Sequence, residues 1–124
     1  MNPFAKTIVV VVIFAVPIPN YAQQSPISKT TLFAISETLA YDMGKAYQLG
    51  ANCHRELVSI SKSRAIDVFS NYFGDQEVRK FMTNYDNAVN EVKGRSCDLD
   101  EIRVPQLVRN IADYMRKAAP FARH

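Results

Sequence analysis

The chain has 124 residues, with 15 Lys and Arg against 12 Asp and Glu, a formal net charge of +3, and two cysteines. That length supports one domain with a modest core. Opposite charges are mixed along it, and Arg79-Lys80 and Arg116-Lys117 are only pairs, so the clustered basic face of a nucleic-acid binder is missing.

Residues 1–22 read as an export signal. Met1 to Lys6 carries one base and no acid, a nine-residue apolar run follows from Ile8 to Val16, and Pro17 and Pro19 break it before Tyr21-Ala22. The run is too short to cross a bilayer, which takes about 20 apolar residues. Cleavage is expected after Ala22, with Asn20 three positions from the cut, leaving residues 23–124 as a single helical domain with a net charge of +2. No cysteine stands at the junction to take a lipid, and no second apolar span follows residue 22. The expected location is the periplasm, an oxidising compartment.

Residues 23–30 form a polar lead-in. Leu32, Ile35, Leu39, Met43, Ala46, Gly50 and Cys53 then recur at steps of three and four, which predicts a helix with one apolar stripe. Gly44 and Gly50 each weaken it by about 1 kcal/mol relative to alanine. Either they are merely tolerated or they let a neighbouring backbone come close. Ser59 to Ser63 predicts a break, because serines favour caps over helix interiors. A second helix carries Ala65, Ile66, Phe69, Tyr72 and Phe73 and ends at Gly74. Asp75 is placed to cap a third helix, with Glu77 in its first turn and Val78, Phe81, Tyr85, Ala88 and Val92 as its buried stripe. Gly94 loosens its end before Cys97. Asp98-Leu99-Asp100-Glu101 is an acidic connection. Pro105 suits the first turn of a last helix with Leu107, Val108, Ile111, Tyr114, Met115 and Ala118 on its apolar side, stopped by Pro120. No segment alternates as a strand does. The expected fold is all-α, a small bundle of four to five helices with one disulfide.

Two cysteines permit a single intramolecular bond, Cys53 to Cys97, tying the end of the first helix to the end of the third. Closing the intervening 43 residues is worth about 4 kcal/mol by chain entropy, large against a typical stability of about 5–15 kcal/mol. Two other uses of these residues compete with it. A thiol–imidazole pair of Cys53 with His54 is disfavoured because adjacent helical side chains do not face each other. A metal set of Cys53, His54, Cys97 and His124 lacks any Cys-x-x-Cys or His-x-x-x-His spacing. There is no haem-attachment motif, glycine-rich phosphate loop or nucleophile elbow. The expectation is a protein that is not an enzyme, takes no cofactor or metal, and acts by binding another protein.

From Phe81 onward the chain resembles the small exported immunity proteins that protect bacteria against type VI secretion peptidoglycan amidases. That family carries an aromatic-Cys-x-Gly-Tyr-x-x-Gly-Val stretch, a later cysteine, and a Gln-Leu helix ending in Tyr-Leu and a proline. Here the stretch reads Phe81-Met82-Thr83-Asn84-Tyr85-Asp86-Asn87-Ala88-Val89, followed by Cys97, Gln106-Leu107, Tyr114-Met115 and Pro120. Upstream, Leu49-Gly50-Ala51-Asn52-Cys53 is similar to the cysteine-terminated first helix of that family. Met82 stands in place of a cysteine, and Asn84 and Ala88 in place of glycines that let helices pack closely. The resemblance covers about half of the mature chain and implies a helical, exported, non-catalytic inhibitor, often a homodimer, that blocks the cleft of a secreted amidase effector. It makes Asp98, Asp100 and Glu101, beside the expected disulfide, the candidate partner-binding loop. Tyr41, Tyr47 and Tyr72 are further candidate anchors. A periplasmic chaperone or stress protein, which opens when its carboxylates protonate, and an envelope scaffold protein are the alternative readings.

Overall fold

The computed structural model describes residues 26–123. The export signal read over residues 1–22, residues 23–25 of the polar lead-in and His124 lie outside the described residues. The described residues form four α-helices, α1 (Lys29–Asn52), α2 (Lys62–Ser70), α3 (Asp75–Val92) and α4 (Val104–Ala118). Short 3-10 turns stand at Val58–Ile60, Leu99–Glu101 and Ala119–Phe121, and no strand occurs among the described residues. The fold is all-α, as expected.

α1 begins where Ser28 caps it: the serine Oγ accepts the Thr31 N–H at 3.0 Å, satisfying one of the free donors of the first turn. The helix therefore starts inside the segment read as lead-in. Leu32, Leu39, Met43 and Gly50 of the expected stripe are buried, and so are Ser36, Ala40, Gly44 and Leu49. This wider buried face reflects α1's central place, against α3 along its length with α2 and α4 alongside.

The closest approach is at Gly44. A Cβ built there would sit 2.3 Å from the carbonyl oxygen of Tyr85 on α3. Gly44 is thus required by packing, and the close seam that glycines on the third helix would give is made from the opposite side. Asn84 instead reaches across the seam, its amide donating to the Glu37 carbonyl at 3.2 Å. Ala88 is fully buried beside it.

Ser61 caps α2 by accepting the Arg64 N–H. This helix ends at Ser70, sooner than the apolar spacing predicts. Tyr72 and Phe73 are buried from the following turn, whose N–H groups both bond to the Phe69 carbonyl at 3.0 Å. Ile66 lies at the edge of the stripe and is 37% exposed. Gly74 does not close α2; it is the N-cap of α3, and Asp75 sits within the first turn with Glu77, where both acids favour the positive end of the dipole without capping it. All five expected stripe residues of α3 are buried, with Met82 in addition.

Pro105 occupies the first turn of α4, and Leu107, Ile111, Tyr114 and Ala118 face inward. Val108 does not; it is 42% exposed on the outer side. Arg116 and Lys117 end the helix at its negative pole. The tail is held by Arg123, whose backbone N–H donates to the Asn71 carbonyl at 2.7 Å and whose guanidinium donates to the Phe73 carbonyl at 2.7 Å.

Aromatic rings knit the elements together. Phe33 meets Phe81 edge-on at 4.9 Å, and Phe69 meets Tyr114 at 5.7 Å. Within this core Ser36 donates its single hydroxyl proton to the Leu32 carbonyl at 2.7 Å. The Tyr114 phenol, 2.5 Å from the Ser36 oxygen, is therefore the donor in that second bond. Burial pushes the Tyr114 phenol up to about 12, partly offset by the Ser36 hydroxyl, which can turn to donate to a phenolate.

Candidate functional site

Two features of the surface stand apart from a plain helical bundle. The first is the covalently tied end. In the last turn of α1 the Gly50 carbonyl accepts the N–H groups of Cys53 at 2.9 Å and Arg55 at 2.8 Å, and the chain then turns through His54, held at a left-handed φ of 59°. The side chain of Leu57 folds back onto Gly50. α3 ends nearby, and the Asn52 amide donates to the Val92 carbonyl at 2.9 Å, drawing the two helix ends together. Gly94, at φ 87°, reverses the chain after α3. Cys53 and Cys97 are then bonded, with their Cα atoms 4.7 Å apart, and neither cysteine is free. Both sulfurs are consumed, so neither is available as a thiolate to His54 or as a metal ligand.

The acidic connection follows directly. Asp98 accepts the Asp100 N–H at 3.1 Å, turning the chain into the Leu99–Glu101 turn. Glu101 pairs with Arg95 and lies 3.7 Å from Lys45 of α1. Its carboxylate is thus engaged in holding the loop, while Asp100 is exposed and has no ion pair among the described residues. The three acids do share one turn beside the disulfide; the pairing that fixes Glu101 needed Arg95 and Lys45, which spacing did not single out.

The three candidate tyrosines separate. Tyr41 is half-buried and its hydroxyl donates to the Glu91 carboxylate, a bond that raises its pKa, with lesser help from burial. Tyr47 is half-buried against the core. Tyr72 is 5% exposed and belongs to the aromatic core, stacked edge-on to Tyr114, so it is not a surface anchor.

The second feature is an open groove between α1 and α4, of about 610 Å³, with Ile35, Leu39 and Tyr114 in its apolar wall. It continues past Asp42 and Asn110 into a smaller basin of about 230 Å³ that reaches Leu49, Leu107 and Arg103. Asp113 on the rim is paired with Arg116 and, at 3.1 Å, with Lys117. Those cations hold its carboxyl below the usual range, the hydrogen bond from Lys117 foremost. Asp42, common to both basins, has no ion pair among the described residues. Asp42 is exposed, yet neighbouring protein atoms displace some of its water and raise its pKa, against a smaller lowering by Lys45. Ile35, Leu39 and Tyr114 all belong to the expected apolar stripes, but periodicity within one helix does not say which two helices leave a groove between them.

Among the described residues no group of three or more His, Cys, Asp or Glu gathers as a metal site, and no helix is long and apolar enough to cross a membrane. Comparison with protein-family models, with curated proteins and with solved structures finds no match to this chain.

Proposed function

We propose that this chain is an exported, non-catalytic protein-binding bundle that acts in the periplasm, of the kind that neutralises a secreted peptidoglycan amidase. The observation that carries the reading is the tied end. The Cys53–Cys97 bond, the Asp98 turn and the Arg95–Glu101–Lys45 ion pairs fasten one short acidic loop to the ends of two helices. A loop ordered before binding loses less conformational freedom on docking, which is what a cleft-blocking inhibitor needs. Its exposed Asp100 favours a partner with a basic rim. The residues that carry the family resemblance, from Phe81 to Pro120, include both the seam residue Tyr85 and the bridge cysteine Cys97.

The test uses the oxidised chain, residues 23–124, against secreted Cys–His amidases encoded beside it. The expected result is stoichiometric inhibition of peptidoglycan digestion and relief of amidase toxicity in cells only when the chain is exported. Asp100→Arg is expected to weaken inhibition without changing stability. Failure of the oxidised chain to bind or inhibit any such amidase removes the reading.

A further inference from the structure

The disulfide joins two segments that the rest of the molecule holds very unequally. We propose that it is a one-sided redox latch: a dithiol of the thioredoxin class reduces it in the folded protein, and reduction releases the acidic turn while the four helices stay packed. The inference does not depend on the amidase reading.

The Cys53 side is held without the bond. The N–H groups of Cys53 and Arg55 both donate to the Gly50 carbonyl, and that of His54 donates to Ala51. Leu57 packs on Gly50. Ile60 is fully buried, and its carbonyl accepts the Tyr85 hydroxyl at 2.9 Å. The Cys97 side lacks such support. From Gly94 to Arg103 the bonded backbone N–H groups among the described residues are those of Arg95, Asp100 and Glu101, each on an acceptor two or three positions earlier. None of the described side chains from Lys93 to Arg103 is buried. The polar tie to another helix is the partly exposed pair of Glu101 with Lys45, a weak restraint.

The helices are joined through other contacts. α1 and α3 meet at Gly44 and are linked by the Asn84–Glu37 and Asn52–Val92 hydrogen bonds. α4 is seated by Tyr114 on Ser36 and Phe69. In the chain-entropy account, the stabilisation lost on reduction comes from the unfolded chain, so no helix has to move.

The bond is also within reach. Cys97 is exposed and Cys53 half-buried, and a Cβ added at Gly94 would meet nothing within 4 Å, so the turn leading to Cys97 stands clear of the bundle. A thiolate of the reductant attacks the Cys97 Sγ, the S–S bond breaks, and Cys53 leaves as a thiolate that takes up a proton. The reductant's second thiolate then attacks its own sulfur in the mixed disulfide, and Cys97 leaves and is protonated in turn. Two electrons pass from the dithiol, which becomes a disulfide.

The test uses the oxidised chain, residues 23–124, with dithiothreitol and with reduced thioredoxin as separate reductants. Thiol release, followed by alkylation and mass spectrometry, is expected to rise in proportion to dithiothreitol without a plateau, and thioredoxin is expected to reduce the folded chain. After reduction the circular dichroism of the helices should persist. Backbone order parameters at Arg95, Asp100 and Glu101 should fall from about 0.85 to below about 0.6, while those at Arg55 and Ile60 stay high. Reoxidation should restore them, and the Cys53→Ser, Cys97→Ser double variant should match the reduced chain. The proposal is overturned by a reduction rate that levels off at the rate of global unfolding, by resistance of the folded chain to thioredoxin, or by loss of helical signal on reduction. Order parameters that stay high in the acidic turn, or that fall equally at Arg55 and Ile60, also overturn it.

Discussion

Gly44→Ala is the sharpest test of the packing, because two principles predict opposite signs. In an exposed helix the change stabilises by about 1 kcal/mol, since alanine has the better helix propensity. At this position the new methyl would lie 2.3 Å from the Tyr85 oxygen, 2.9 Å from its carbonyl carbon and 3.0 Å from its Cα. All three atoms are backbone of α3, so no side chain can swing aside. Reaching ordinary contact needs α1 and α3 to part by about 1 Å, which loosens Ala40, Met43, Tyr85 and Ala88, all buried along that seam. Overpacking of this kind costs about 1–3 kcal/mol or more, and rigid atoms on both sides place it high in that range. After the propensity gain the net loss is about 2 kcal/mol. Urea unfolding of the oxidised chain followed by circular dichroism should show the midpoint fall by about 1 M at a slope typical for this size. Gly50→Ala should cost less, because its nearest obstacle is the end of the Leu57 side chain at 2.6 Å, which can move. A Gly44→Ala variant as stable as the parent would mean that α1 and α3 do not approach as closely as described.

Reduction of the disulfide, or Cys53→Ser with Cys97→Ser, should cost about 4 kcal/mol for a bond joining residues 44 positions apart; unchanged urea midpoints would contradict a stabilising bond. Ser36→Ala should destabilise by about 1–3 kcal/mol, because it strands the buried Tyr114 hydroxyl. Tyr114→Phe should cost only about 1 kcal/mol, since Ser36 keeps its bond to Leu32. The reverse ranking in thermal melts would refute that donor assignment. Tyrosines ionise near 10 in an unfolded chain, while burial raises Tyr85 and holds Tyr114 at about 12. The folded state binds more protons across that window, so stability is complete below pH 10 and falls as pH rises toward 12; a flat profile of urea midpoints there would count against both buried phenols. Glu101→Gln should change global stability by less than about 1 kcal/mol, as partly exposed ion pairs do, yet speed amide exchange in residues 98–101.

The apolar rhythm made most of this bundle legible. The stripe of α3 was complete because that helix buries one narrow face, and Pro105, Leu107, Ile111 and Tyr114 located α4 for the same reason. The pairing of Cys53 with Cys97 followed from having no other choice. Boundaries were harder. Phe73 continues the apolar spacing of α2 but enters the core from a turn, and burial does not reveal whether a helix or a turn delivers a side chain. Gly74 and Asp75 were each read one role away from their place, because the motif of a glycine followed by an acid suits both the end of one helix and the start of the next. Gly44 was undecided from sequence alone: its reason lies on Tyr85, 41 positions away. The acidic turn was found, but not the ion pairs that occupy Glu101, since Lys45 reaches it from another helix.

The position of the disulfide also has a local logic. Between α3 and α4 the chain runs from Lys93 to Arg103 with few backbone bonds of its own: the Arg95 N–H to Val92, the Glu101 N–H to Asp98, and the Asp100 N–H to the Asp98 side chain. Ion pairs at this exposure contribute about 0–1 kcal/mol each, too little to hold such a segment in one shape. Elsewhere the bundle is secured by buried rings and the Gly44 seam. The Cys53–Cys97 bond therefore anchors a segment with few backbone bonds of its own, the connection that carries a run of acids. A bond serving stability alone would do as well at any distant pair of helix ends. One that also matters for docking should show a separate effect: reduction should lower affinity for a partner of the acidic turn even at temperatures where the reduced chain remains fully folded. Equal affinity of the oxidised and the folded reduced chain would confine the bond to a stabilising role.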